Sequence, residues 1–189
     1  MDQREDAQAT VRRQVANERA ALAALVETHQ QPLGAYLFHL TGDLDLALAI
    51  TRETFIGYRP VAVRHVDEMG QRAALYRVAT RLALSRVRDA HASRRRVAPG
   101  WTRRAAPPTG GGIELAVELR NAEHGLAQAA LHDLTPGERA VLLLCDLEQF
   151  PLAEVAAILG VSGGAILGQL GRARARFRLG YVEACRGRA

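Results

Sequence analysis

Apolar residues recur at helical spacing along most of this chain. Leu22, Leu25, Val26 and His29 follow i, i+3, i+4, i+7, and Leu33, Tyr36, Leu37 and Leu40 repeat that spacing after Pro32. "TGD" at 41–43 breaks the pattern. A new helix is expected from about Asp45 to Tyr58, burying Leu46, Ala49, Ile50 and Phe55, with Pro60 beyond its end. Leu75, Val78, Ala79 and Leu82 set a third pattern that continues towards Val87 and finishes in the basic run "SRVRDAHASRRR". The strict alternation of half-buried strands is missing throughout.

The pattern then stops. "VAPGWTRRAAPPTGGG", 97–112, is rich in Pro and Gly, has no periodicity and reads as a flexible linker; Trp101, the only Trp, sits inside it. Ile113 to His132 are expected as one helix. "TPGE" at 135–138 is a start signal: Thr135 can accept from the Glu138 N–H, Glu138 can reach back, and Pro136 suits the first helical position. That helix is expected through Leu147. A short helix follows, with Leu152, Val155, Ala156 and Leu159 on one face and Gly160 as its stop. Ser162 can cap the last helix, whose buried stripe is Ile166, Leu170, Ala173 and Phe177. The expected fold is all-α: two small helical domains, 20–96 and 113–180, joined by the flexible linker at 97–112. An extension at 1–19 precedes them, a tail at 181–189 follows, and the C-terminal domain is a helix-turn-helix.

Composition adds a sign to this scaffold. The 189 residues carry 48% hydrophobic and 24% charged side chains, which supports packed cores. The net charge is +5, which favours a polyanionic partner, and every basic residue apart from histidine is Arg. Arg pairs in a flat fork with phosphates and guanine edges, although a GC-rich coding sequence gives the same bias. Two cysteines, Cys145 and Cys185, cannot make a disulfide framework, and Cys145 lies in an apolar run that reads as core. "MDQREDAQATVRRQ" has no apolar signal region, and no apolar run approaches membrane-spanning length, so a cytoplasmic protein without membrane insertion is expected.

Little points to catalysis. His29, His39, His65, His91, His124 and His132 include no i, i+4 pair that would set two metal ligands on one helical face. Asp67–Glu68 stands beside a glycine in a loop-like stretch, and "TGGGIEL" lacks the Lys-Ser/Thr of a phosphate loop. The expectation is a protein that is not an enzyme and needs no cofactor or metal.

"LTPGERAVLLLCDLEQFPLAEVAAILGVS", followed by "GRARAR", resembles the tail of bacterial sigma factors of the extracytoplasmic function (ECF) group. "YLFHLTGDLDLALAITRETFIGYR" is similar to the family's core-polymerase-binding segment, and "LYRVATRLALSRVR" to its downstream-promoter segment. The likeness covers about Ala20 to Phe177. It implies a region 2-like domain at 20–96 and a region 4-like helix-turn-helix at 113–180, in a subunit that binds core RNA polymerase and directs it to promoter DNA. An anti-sigma factor is a further implied partner. By position, Asp45, Arg52, Glu53 and Phe55 would contact polymerase. Ser162, Gln169, Arg172, Arg174 and Arg176, with Arg81, Arg86 and Arg88, would contact DNA.

The departures from the family pattern concentrate on polar surface positions. An acidic pair of the polymerase-binding motif is replaced by Leu48 and Ala49, and its Gln by Arg52. In the recognition helix Ile166, Leu170 and Ala173 keep the buried pattern, while polar outward positions have become Ala165, Leu167, Gly168 and Gln169. A bidentate base contact supplies about 1–3 kcal/mol of discrimination, so losing two or three removes most of one module's choice. Two readings follow. One is a sigma factor with a divergent promoter. The other is a sigma-like interaction protein, a decoy or co-regulator, in which Leu48, Leu167 and the glycines form an apolar patch for a protein partner.

Overall fold

The computed structural model describes residues 2–58, 68–96 and 122–187. Regular structure among them is entirely helical. The elements are α1 (Asp2–Thr41), α2 (Leu44–Gly57), α3 (Glu68–Arg96), α4 (Ala122–His132), α5 (Pro136–Leu142) with a π turn at Leu143–Leu147, α6 (Leu152–Leu159) and α7 (Gly163–Arg186). The expected linker with Trp101, the helix start at Ile113, "TGGGIEL", Asp67 and Pro60 lie outside the described residues. Glu68, expected in a loop, opens α3.

α1 runs unbroken through Pro32, and it differs from the expectation in taking in the residues expected as an extension. Proline removes one intrahelical donor, but Thr28 and Pro32 are both exposed, on the side of the helix where water can stand in for it. The helix ends where "TGD" said it would. Gly42 takes φ +73°, its N–H donates to the Phe38 carbonyl at 2.7 Å, and Asp43 caps α2 by accepting from the Leu46 N–H at 3.0 Å.

Leu33, Tyr36, Leu37 and Leu40 are fully buried, as their spacing requires. α2 buries Ile50 and Phe55 as expected, but Ala47, Thr51 and Thr54 join them, while Leu46 is half-buried and Ala49 is exposed. Two threonines can line a core because each hydroxyl donates to the carbonyl four residues back, Thr51 to Ala47 and Thr54 to Ile50, both at 2.8 Å. α3 closes this lobe with Leu75, Tyr76, Ala79 and Ala83, while Val78 and Leu82 stay half-buried.

In the second lobe the Thr135–Glu138 capping box is formed. Burial works against charge on Glu138, yet the Thr135 hydroxyl and backbone N–H and then Arg176 more than offset it, holding the carboxyl below its usual range. The helix expected through Leu147 is α-helical only to Leu142. The π turn then leaves Leu143 and Leu144 buried, Cys145 half-buried and Leu147 exposed. α6 buries Val155 and Ile158; Leu152, expected inside, is exposed, and Ala156 and Leu159 are half-buried. α6 touches α3 on one side and α7 on another, so a single inward face does not describe it. α7 buries Ile166, Leu170 and Ala173, with Phe177 half-buried, and continues to Arg186 through the expected tail. Ser162 stands at its N-terminus but makes no side-chain cap; only its carbonyl serves, accepting from the Ile166 N–H at 3.2 Å.

The two lobes share one hydrophobic core. Where they meet, buried Arg139 donates to the Leu40 carbonyl at 2.8 Å and to the His132 and Leu134 carbonyls at 3.3 and 3.2 Å. Gln128 pairs with the His39 ring at 2.9 Å and donates to the His39 carbonyl at 3.3 Å. Gly42 is required twice over: its φ is left-handed, and a Cβ there would lie 2.2 Å from the His132 ring.

Gly42→Ala is expected to cost about 2–4 kcal/mol, the sum of left-handed strain and overpacking, read from urea midpoints. A pH effect follows at the same corner. Burial of the ring, then the Arg139 charge, lower the His132 pKa below 6.5 in spite of Asp133. The unfolded chain thus takes up the proton first as pH falls, and stability declines from 6.5 downwards until the folded-state value is passed. His132→Gln should shrink the loss of urea midpoint between about pH 7.5 and about pH 5.5; an unchanged loss would contradict the assignment.

Candidate nucleic-acid interface

α6 and α7 form the helix-turn-helix unit. Gly160 ends α6 at φ +68°, the Val161 N–H returns to the Ala156 carbonyl at 3.1 Å, and the two helices are bent by 99°. Ile166, Leu170 and Ala173 hold α7 against the lobe, which leaves the opposite side in water. That side carries Gly163, Gly164, Ala165, Leu167, Gly168, Gly171 and Arg172, all exposed, with Leu167 at 59%. Beyond the adjacent residues and the helix's own backbone, no atom lies within 4 Å of a side-chain position at Gly163, Gly164 or Gly171; at Gly168 only the Arg172 guanidinium does, at 3.6 Å. The outward face is smooth, open and nearly devoid of hydrogen-bonding side chains.

The candidate DNA residues separate into different roles. Ser162 is exposed beside the turn, and Gln169 is half-buried on the flank. Arg172 is exposed. Arg174 instead binds Asp146 through two bonds, 2.6 and 3.0 Å, whose pairing raises the already high Arg174 pKa. Arg176 bonds both oxygens of Glu138 at 2.9 and 3.1 Å. Those two arginines therefore tie α7 to α5 and its π turn. Exposed Arg178, two residues beyond "GRARAR", is a further cation that the family motif does not reach.

On α3, Arg81 and Arg88 are exposed and line a cleft of about 590 Å³ whose far wall includes Gly137, Ala157 and Gly160. Arg86 points elsewhere and pairs with Glu53 of α2 at 3.1 Å. The expected polymerase residues also divide. Arg52 and Glu53 are exposed and Asp45 is half-buried, but Phe55 is only 8% exposed and belongs to the core, where Thr51 and Thr54 accompany it. Ile56, 85% exposed, stands one turn after Arg52 in its place. Ala49, Arg52, Glu53 and Ile56 share the outward face by the i, i+3, i+4, i+7 rule. Leu48 is half-buried on α2, so the apolar patch expected to join it to Leu167 and the glycines draws on two different lobes.

Among the described residues no group of three or more His, Cys, Asp or Glu could hold a metal ion. No single helix among them is long and apolar enough to cross a membrane; α6 and α7 pass that test only as a bent pair.

Residues 124–177 match the Sigma-70, region 4 family. The chain is 30% identical to the ECF RNA polymerase sigma factor SigG of Mycobacterium tuberculosis, over 88% of this chain and 50% of that protein. It is 29% identical to the ECF sigma factor SigE of Mycolicibacterium smegmatis, over 82% of this chain and 59% of that protein. The chain thus spans about half the length of the curated relatives it matches. In fold it is similar to the sigma factor RpoE of Bartonella quintana, solved with the anti-sigma factor NepR. The TM-score is 0.63 at 20% identity, over 84% of this chain and 94% of that one.

Because the outward face is open, Gly168→Ala and Gly171→Ala should each stabilise the protein by about 1 kcal/mol, measured by urea unfolding. Destabilisation by either would mean that this face is packed against something in the folded protein.

Proposed function

In a chain that carries a sigma-70 region 4 domain at 124–177 and is homologous to ECF sigma factors, we propose that the two lobes act as a sigma factor, binding core RNA polymerase and directing it to promoter DNA. The observation that carries this reading is the helix-turn-helix itself: α7 is anchored by Ile166, Leu170 and Ala173 and presents its opposite face to solvent. In the proposal α7 enters the major groove, with Arg172 and Arg178 on phosphates and Ser162 and Gln169 able to bond base edges. The glycines let backbone come close to DNA, and sequence choice then leans on duplex shape more than on side-chain contacts. Arg174 and Arg176 position the helix. On α2, Arg52, Glu53 and Ile56 meet the polymerase, and Phe55 supports them from below. A regulatory protein of the anti-sigma kind is proposed as a partner, by analogy with the solved neighbour.

The test is co-purification with core polymerase, followed by a promoter-fragment shift at two salt concentrations. Stable polymerase binding is expected. Arg172→Ala should weaken all duplexes about equally and flatten the salt dependence by about 0.9 in log–log slope, as one lost phosphate contact requires. Failure to bind polymerase, with a protein partner recovered instead, would favour the interaction-protein reading.

A further inference from the structure

The distal part of α7 carries a surface that the proposed function does not use. Residues 178–186 lie beyond the family match at 124–177, yet the helix continues through them because its inner side is fastened. Gly180 is buried against α4, where a Cβ would lie 3.0 Å from an Asp133 carboxylate oxygen and 3.4 Å from the Ala130 Cα. That contact fixes the rotation of the helix and turns Leu179 and Val182 outward, 66% and 45% exposed. Three residues apart on one side of a helix, the two form a ridge. Towards the N-terminus the same side continues as Ala175 and Gly171, both exposed and too small to shield it. Ridge and trough lie along one rigid helix and cannot meet within one molecule. A second copy running the opposite way brings the ridge of each over the trough of the other.

Charge selects that occupant and its direction. Glu183 is the one acidic residue of α7; it is exposed and forms no ion pair among the described residues. Arg172, also exposed, forms none either. The two stand eleven residues apart, about three turns, so they share one edge of the helix. A separation of about 16 Å along the axis keeps them from reaching each other. In an antiparallel pair each Glu183 falls beside Arg172 of the other copy, once at either end of the contact. In the same register Val182 drops between Gly171 and Ala175 of the other copy, and Leu179 lies beside its Ala175. A parallel pair would instead set Arg172 against Arg172 and Glu183 against Glu183, which like charges oppose.

We propose that α7 pairs antiparallel with α7 of a second copy of this chain, through Leu179 and Val182 and two reciprocal Arg172–Glu183 ion pairs. The contact uses the same surface on both copies, so it closes as a dimer. One helix face over about three turns is less than the about 800 Å² per partner of a stable interface, so the dimer depends on concentration. The monomer dominates at the low concentrations of urea unfolding, and the stabilisation expected above for Gly171→Ala is unchanged. A paired copy cannot also lay Arg172 on a phosphate. That last consequence rests on the function proposed above, whereas the pairing rests on the surface of α7.

The test is sedimentation equilibrium of the full chain, under reducing conditions so that exposed Cys185 forms no disulfide. Between about 10 µM and about 1 mM the parent should pass from monomer to dimer, and added salt should shift the transition upward. Arg172→Glu and Glu183→Arg should each weaken dimerisation about tenfold, because each sets like charges together at both ends. Mixed in equal amounts, the two variants regain both opposite-charge pairs and should associate about as tightly as the parent. Leu179→Gln combined with Val182→Gln, at exposed positions, should stay monomeric throughout. A parent that remains monomeric over the whole range would overturn the proposal. So would single variants that dimerise like the parent, or a mixture that associates no better than its components. A random-sequence duplex should dissolve the parent dimer; a dimer that persists with duplex bound would uphold the pairing and sink the phosphate role of Arg172 instead.

Discussion

A helix leaves its last carbonyls without donors, and here those of α1 are supplied by the other half of the molecule. The Leu40 carbonyl accepts from Arg139, and the His39 carbonyl accepts from Gln128. Arg139 is buried, and its charge sits where the negative end of α1 favours a cation. The same guanidinium gathers the carbonyls of His132 and Leu134, between α4 and α5. The end of α1, the end of α4 and the turn before α5 are thus joined by one side chain. Removing it would leave several buried acceptors unmet, each at a cost of about 1–3 kcal/mol. Gly42 belongs to this corner, because only a residue without a side chain lets the His132 ring approach.

From that corner the molecule presents two kinds of arginine. Arg72, Arg139, Arg174 and Arg176 are committed to carboxylates or carbonyls of the protein itself. Arg81, Arg172 and Arg178 are exposed, with Arg88 held only loosely by the Leu84 carbonyl at 3.2 Å. The number of arginines therefore overstates the positive field offered to a partner. Beside the helix-turn-helix, exposed arginines stand on α3 and on α7 from Arg172 onward, and a glycine-rich surface lies between the turn and Arg172.

Much of the fold was legible because helical periodicity and end signals act over a few residues. Leu33 to Leu40, the Thr135–Glu138 box, Gly160 and the Ile166–Leu170–Ala173 stripe fall where spacing puts them. The errors arose where a longer range decides. α2 buries threonines in preference to Ala49 because their hydroxyls are satisfied within the helix, which hydrophobicity does not register. Of the candidate site, the placement of α7 was readable and its chemistry only partly so. "GRARAR" shows three arginines alike, and nothing local tells that two of them face Asp146 and Glu138, some thirty or forty positions upstream. Phe55 misled for the opposite reason: matching a motif says which residue is kept, not which way it points.

The π turn at Leu143–Leu147 has a consequence for how this architecture tolerates change in length. Each residue of an α-helix advances the direction of its successors by about 100°, so a wider turn resets the angular phase of everything that follows. Glu148, Gln149 and Phe150 leave the helix at an azimuth that a regular continuation would not provide. The heading of the polypeptide into α6 is thereby encoded in a residue count within five positions. Substitutions of side chains there can be absorbed locally, whereas gaining or losing a single peptide unit would re-aim the whole helix-turn-helix.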